Sequence, residues 1–294
     1  MGLGLRICTY NVRNLFLGNV DSGQPMSVDT HTAKTPAELR SLVKVIDAVA
    51  ADVLCLQEVS SATALHALND ELARPFAHIE VLQGNSNRGI HLATMSRTPF
   101  ELTSHREHLL VDECGGELCE YDTETDAENG RSTRLRFQRD LLLAEISLKS
   151  GCPLAIFNVH LKSQTNRPWR RLAADTIRDA ESRSIRAIVG EYTRQHCAYP
   201  TVLLGDFNER RTSDSVSCLF SMAFADPLDA QLRQEGRNPS TYWPKKHMRL
   251  DHILLSARAR DLLRKGSARI HASHRGKQAS DHYPVSLRLD LDRN

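Results

Sequence analysis

The sequence predicts an α/β fold, because short leucine-rich and β-branched runs that suit buried strands alternate along the chain with stretches of helical periodicity. Two further observations narrow the prediction. No shift of composition marks a linker, so residues 1–294 are expected to form one domain, within the length range that α/β sandwiches and barrels reach as single units. Apolar residues make up 40% of the chain, enough for a sizeable core.

LRICTYNV (5–12) reads as the first strand. TPAE (35–38) is a capping box with proline at the first helical position, and Leu39, Leu42, Val43, Ile46 and Val49 follow at helical spacing. DVLCLQEV (52–59) is a buried strand, SSATALHALNDELA (60–73) a helix opened by serines, and strands follow near 78–83 and 89–96. Residues 112–133 are polar and read as a long exposed loop excursion. RDLLLAEISL (139–148) and PLAIFNVHL (153–161) form a strand pair joined through 149–152. A long helix is expected from Pro168 to Gln195, with Leu172, Ile177, Ile185, Ile188, Val189 and Tyr192 on its apolar face. Then come a strand over 201–204, a short helix near 213–222, the strand RLDHILLS (249–256) and a last, one-sidedly apolar strand, DHYPVSLRLDLD (281–292).

A net charge of +2 is not the strongly basic footprint of a protein that coats nucleic acid, although it leaves room for a local basic groove. The N-terminus lacks the pattern of a secretory signal, and Arg6 stands where a myristoylation motif on Gly2 wants Ser or Thr. No apolar run reaches the roughly 20 residues that span a bilayer. The expectation is a cytoplasmic protein without stable membrane association; nothing in the sequence fixes its oligomeric state. Five of seven cysteines lie in or beside apolar stretches and read as buried thiols, whereas Cys114 and Cys119 sit in a polar loop as a surface disulfide or two idle thiols.

The segment PTVLLGDFNE (200–209) ends a buried strand on a glycine and then presents Asp206, Phe207 and Asn208. Alone, it is an ordinary strand exit with Asx capping. Other strands end alike: Asn11 closes the first, Glu58 the second and His160 another, Asp251 and His252 interrupt an apolar strand, and Asp281 and His282 open the last. Each has a bland reading, as a cap, a solvated terminus or a satisfied histidine. Together they point to a site assembled from separate segments. A hard divalent cation prefers oxygen ligands, so Glu58 with Asn11 or Asp281 suits Mg²⁺. Two histidines can donate to phosphate oxygens, and an aspartate can orient one of them or take a proton from water. No nucleophile elbow, P-loop or His-Glu-x-x-His occurs, which removes support for acyl-hydrolase, NTPase and zincin chemistry.

The ordered set TYNV, LQEV, NVHLKS, LLGDFNE, RLDHILLS and SDHYPV resembles the endonuclease/exonuclease/phosphatase superfamily, from Asn11 to His282. The resemblance implies a four-layer α/β sandwich, two packed mixed β-sheets flanked by helices, with the site at one edge of the sheets. It also implies roles: Glu58 as principal Mg²⁺ ligand (Mn²⁺ as a substitute), with Asn11 beside it and Asp281 at a second metal position. Asp206 would position or deprotonate the attacking water, steadied by Asn208. His282 would contact the scissile phosphate with Asp251 fixing its tautomer, and His160 would be the second phosphate-binding histidine and a candidate acid for the leaving group. The chain departs from the AP endonuclease branch at Arg13, where that branch carries an acid, and at His160, where it carries no histidine. His252 stands where an aromatic residue is common. NRGIHLATMSRTPF (87–100) is similar to a segment of bacterial members described as metal-dependent hydrolases or nucleases.

Two basic clusters adjoin these segments. Arg167, Arg170 and Arg171 flank Trp169 after the His160 strand, and Lys245, Lys246 and Arg249 precede Asp251. Such clusters suit a phosphate backbone and a stacked base, or else are solvated faces. The expected activity is Mg²⁺-dependent hydrolysis of a phosphodiester, with nucleic acid as the substrate. The alternative is a phosphomonoesterase or phospholipase-like enzyme on inositol phosphates or lipid head groups. A non-catalytic binding module would have lost some of these residues, and every position is filled by a suitable type.

Overall fold

The computed structural model describes residues 4–17, 33–148, 151–236 and 239–291; Gly2, the connection at 149–150 and the end of the last predicted strand at 292 lie outside them. Strands build two mixed sheets. The first contains β1 (Gly4–Leu15), β2 (Val53–Val59), β3 (His78–Leu82), β4 (His91–Ser96), β12 (Arg269–Ile270) and β13 (Val285–Asp290), in the order β12-β13-β1-β2-β4-β3. The second contains β5 (Phe100–Ser104), β8 (Leu141–Ile146), β9 (Leu154–His160), β10 (Thr201–Asp206) and β11 (Asp251–Leu255), in the order β11-β10-β9-β8-β5. Only β1–β2 and β9–β10 pair in parallel within these sheets.

Alternation along the strands sorts their side chains into three apolar interfaces. Val202 and Leu204 point between the sheets with Ile7, Val53, Cys55, Ile156 and Leu287. Leu203 points the other way, with Phe157, Ile177, Ile185 and Val189 of the long helix α4 (Ala174–Gln195). The first sheet's outer face packs on Leu42, Val45, Ile46 and Val49 of α1 (Pro36–Val49) and on Leu65 and Leu68 of α2 (Ala62–Asp70). Helix, sheet, sheet, helix: this is the four-layer α/β sandwich. Helix starts follow the expected chemistry, since Thr35 and Glu38 close a reciprocal capping box and the Ser61 side chain accepts from Ala64 N.

Several elements differ from expectation. The 112–133 excursion is an organised hairpin, β6 (Cys119–Tyr121) paired with β7 (Ser132–Arg134) around α3 (Glu124–Glu128), which Thr123 caps. Helix α4 starts at Ala174 rather than near Pro168. The amides of Arg171 and Leu172 donate to the buried Glu120 of β6, at 2.9 and 3.1 Å, and Ala174 N donates to Asn166 Oδ1 at 2.7 Å. Outside acceptors therefore satisfy amides that a helix start would leave open, and the segment stays irregular. The short helix expected near 213–222 is α5 (Asp214–Phe220), but short β5 and α6 (Pro227–Gln234) were not expected, although Asp226-Pro227 is a readable start signal: the Asp226 side chain caps Asp229 N. The cysteines are free; of the five expected to be buried, Cys8 and Cys55 are, Cys152 and Cys218 are half-buried, and Cys197 is exposed like Cys114. Among the described residues no helix is long and apolar enough to cross a membrane.

Candidate active site

Strand pairing places Asp206 of β10 beside His160 of β9 on one side and Asp251 of β11 on the other. Gly205 is what permits this close pairing. Its φ is 140°, and a Cβ there would lie 2.0 Å from the Val159 carbonyl oxygen, so the glycine serves a tight backbone approach within the strand, not a turn after it. Phe207 beyond it is fully buried against Phe220 and His252, ring centroids 5.8 and 5.0 Å apart, and locks the strand exit. Asp206 divides its labour. Its Oδ1 accepts from Asn208 N at 2.8 Å, an Asx turn, while Oδ2 accepts from Asn11 Nδ2 at 2.9 Å. One oxygen thus closes the Asx turn of the strand exit, and the other faces Asn11 of the opposite sheet. Asn208 in turn donates from Nδ2 to the Leu161 carbonyl at 2.9 Å.

The opposite wall comes from the first sheet. Asn11 does not end β1, which continues to Leu15 through a bulge with Arg13 and Asn14 at φ 50° and 52°. Glu58 has φ 67°, at a second register shift, between Gln57 and Val59 in the pairing of β2 with β4. Paired irregularities of this kind re-aim side chains, and here they anchor the carboxylate: Asn14 N donates to Glu58 Oε2 at 2.9 Å. Asn11 Nδ2 lies 3.3 Å from Glu58 Oε1, so this amide bridges Glu58 and Asp206 through its NH₂, and its Oδ1 accepts from Arg13 N at 2.9 Å. That orientation makes Asn11 an orienting bridge; it offers no lone pair to a cation on that face.

His160 Nε2 stands 3.8 Å from Glu58 Oε1 and 3.6 Å from Asp206 Oδ2. Burial pushes its pKa well down, and Arg139, Arg88 and His282 add to the effect, so the ring is neutral. His282 behaves oppositely. Burial alone would lower it, but Asp251, bonded to Nδ1 at 2.8 Å, and Asp206, 3.7 Å from Nε2, outweigh burial and hold it protonated. Burial raises Asp206, with the His282 cation opposing. The ligand atoms of Asp206, Asp251 and His282 lie within 4.8 Å of one another, the spacing of a metal site. Both ring nitrogens of His282 already face carboxylates, so the group is an acid–imidazole–acid chain and not a cradle for a cation. The cation chemistry fits Glu58 better. Its Oε2 is tied to backbone, and its Oε1, a hard oxygen donor, faces Asn11 and His160.

Asp281 lies beside the wall, with Arg13 Nε 3.9 Å from its Oδ2. Ser280 ties the segment down, donating from Oγ to the Asn11 carbonyl at 2.7 Å and accepting from His282 N. Tyr242, absent from the expected set, packs its ring 5.2 Å from the His282 ring. Arg88 Nη2 reaches Asn14 Oδ1 at 3.4 Å, and Arg139, buried, donates to the Leu161 carbonyl at 3.1 Å. The first lay in the NRGI motif, the second had no motif to mark it.

The basic clusters divide. Trp169 is half-buried under the Arg170 guanidinium, 5.3 Å from its centroid; Arg171 lies 5.9 Å from the Tyr121 ring of β6, and Arg167 is exposed. Lys245 and Lys246 are exposed. Arg249 is turned inward instead, 8% exposed, with Nη2 2.9 Å from Asp226 Oδ2 and 3.3 Å from Asp229 Oδ1. Its charge is consumed by α6 rather than offered to a phosphate. His252 joins the same buried group through Asp226, 3.3 Å away.

The profile of the Endonuclease/Exonuclease/phosphatase family matches residues 8–282, a span that runs from β1 to His282. The chain belongs to that family. Among solved structures it is similar to the human Nocturnin catalytic domain with bound sulfate (TM-score 0.60, 16% identity, 98% of this chain and 95% of that one). Truncated Caenorhabditis elegans TDP2 gives TM-score 0.60 at 16% identity, over 98% of both chains. An endonuclease/exonuclease/phosphatase from Beutenbergia cavernae gives 0.59 at 19%, over 98% of this chain and 72% of that one. Likeness at these identities speaks for the fold. No curated protein matches the sequence. Membership makes the chain a hydrolase of phosphate esters.

Proposed function

We propose that the protein is a Mg²⁺-dependent phosphodiesterase that cleaves a nucleic-acid backbone. The observation that carries this reading is the convergence of His160 and the Asp251–His282 pair on Asp206, whose Oδ2 lies within 3.6–3.7 Å of both imidazoles, with Glu58 Oε1 3.8 Å from His160. In it, Asp206 accepts the proton of a water whose oxygen forms the new bond to phosphorus. Burial, which raises its basicity, and the Asn208 and Asn11 bonds, which fix its two oxygens, prepare it for that step. The ester P–O bond breaks with its electron pair on the departing oxygen. Attacking and departing oxygens lie in line, so His282, only 3.7 Å from Asp206, is on the side of the attack. It stabilises the charge on a non-bridging oxygen and does not reach the leaving group, while Asp251 holds its Nδ1–H.

His160, neutral and buried, contacts the phosphate as a hydrogen-bond donor; a cationic acid for the leaving group is not the role its surroundings favour. Glu58 would hold the metal, which when bound supplies positive charge to the phosphate and departing oxygens. Trp169, Arg170, Arg171, Lys245 and Lys246 would meet base and backbone, with Glu120 of the hairpin fixing the Arg171 segment. Digestion of plasmid and single-stranded DNA with and without Mg²⁺, comparing wild type with Glu58→Ala and Asp206→Asn, tests the reading. Metal-dependent cleavage lost in both variants is the expected result. Hydrolysis of inositol phosphates in preference to either DNA would overturn the nucleic-acid assignment.

A further inference from the structure

The acid assigned by resemblance to a second metal position, Asp281, is already faced by a cation of this chain. Arg13 Nε lies 3.9 Å from Asp281 Oδ2. Backbone geometry, more than the reach of a long side chain, puts it there. Arg13 and Asn14 form the bulge of β1 at φ 50° and 52°, and Arg13 N is tied to Asn11 Oδ1 at 2.9 Å. The same bulge delivers Asn14 N to Glu58 Oε2 at 2.9 Å. One local conformation therefore sets both the anchor of Glu58 and the point where Arg13 leaves the strand. Lys34, whose ammonium donates to the Ala279 carbonyl at 2.8 Å, adds a second cation within electrostatic range of Asp281, Glu58 and Arg13.

A divalent ion needs several oxygen donors and a local excess of negative charge. Around Glu58 and Asp206 that excess exists. Around Asp281 it does not, because its carboxylate faces the Arg13 guanidinium. The Arg13 side chain is 56% exposed, so its remaining N–H groups are open to an incoming phosphate oxygen.

We propose that Arg13 supplies the second positive charge of this site, so that the protein binds one divalent ion and uses the Arg13 guanidinium beside Asp281 where a two-metal site would use another. The inference rests on the assignment of the ion to Glu58, and the two are separable by experiment. Mn²⁺ titration followed by electron paramagnetic resonance of the free ion counts sites without reference to turnover. Wild type is expected to bind one Mn²⁺. Arg13→Asp, a residue tolerant of positive φ, replaces the cation with an oxygen ligand and is expected to bind two. Two ions on wild type, or one on a folded Arg13→Asp, would overturn the proposal. Glu58→Gln is expected to lose the wild-type ion; if it keeps it, the Glu58 assignment fails while the Arg13→Asp count still decides the role of Arg13. Arg13→Asn removes the charge without adding a carboxylate. It should still bind one ion and lose at least roughly tenfold in kcat, partly recovered in Arg13→Lys. Unchanged kcat in Arg13→Asn would also overturn the proposal.

Discussion

Gln57 and Asn158 join the two sheets across their interface: Gln57 Nε2 donates to Asn158 Oδ1 at 2.7 Å, and both side chains are buried. Asn158 Nδ2 returns a bond to the Leu56 carbonyl at 3.1 Å, and Gln57 Nε2 also reaches Thr9 Oγ1 at 3.0 Å. One residue beyond Gln57 is Glu58, and two beyond Asn158 is His160. Apolar faces alone allow two sheets to slide, since the hydrophobic effect is non-directional. This polar clamp fixes their relative position just beneath the edge that carries Glu58 and His160.

Asn158→Ala should therefore affect stability and turnover separately. Removing the acceptor of one Gln57 Nε2 hydrogen and a buried donor to the Leu56 carbonyl costs about 1–3 kcal/mol, read from urea unfolding. The double variant Gln57→Leu/Asn158→Leu removes both partners and should recover much of that stability. Its kcat is expected to stay low, because the spacing of Glu58 and His160 is no longer pinned. Full activity in the double variant would show that apolar packing sets the spacing unaided.

Asp251→Asn tests the acid–imidazole–acid chain. The substitution keeps the shape but removes the charge that outweighs burial at His282, and it permits the wrong tautomer. A loss on the order of 10²-fold in kcat is expected, with KM little changed. A variant that retains wild-type kcat would relegate Asp251 to a structural partner.

The candidate residues were more legible in the sequence than the elements around them. His160 and Asp206 end β9 and β10, Asp251 starts β11, Glu58 is one residue from the end of β2 and His282 shortly precedes β13, and such strand boundaries are legible from short apolar runs. The bulges that aim Glu58 were invisible, since Arg13 and Asn14 adopt positive φ without a glycine to signal it. Arg249 departs from the expectation for a related reason: its basic neighbours are exposed, but its acceptors, Asp226 and Asp229, come from the start of a helix about 20 residues earlier that only the fold brings near. Helix α4 starts later than its sequence pattern predicts because the competing acceptor, Glu120, lies in the hairpin of the excursion. Local pattern predicts what local chemistry decides; these departures are all tertiary.

His271 gives a pH dependence of stability. Burial, with Arg269 and Arg6 adding, lowers its pKa from 6.5 to about 4, while its Nε2 pairs with Ser286 Oγ at 2.8 Å. A histidine whose folded pKa is depressed contributes stability that is fully present above its unfolded pKa. That contribution is lost as pH falls from 6.5 towards about 4, because the unfolded chain binds the proton first. The loss at pH 5 is about 2 kcal/mol. The fall in thermal midpoint between pH 7 and pH 5 should be smaller in His271→Gln than in wild type, and an equal fall in both would place the titration elsewhere.

Lys245, Lys246 and Arg249 look alike in sequence and should behave oppositely. If the substrate is nucleic acid, Lys245→Ala and Lys246→Ala each weaken binding evenly across sequences and reduce the slope of log K against log salt by about 1. Neither should change the urea midpoint. Arg249→Met leaves the buried Asp226 and the neighbouring Asp229 short of a partner, at a cost of about 3–5 kcal/mol in stability. Its salt slope, measured where the variant is folded, should equal that of wild type. A lowered slope in Arg249→Met would mean that the guanidinium leaves α6 and turns to phosphate when substrate binds.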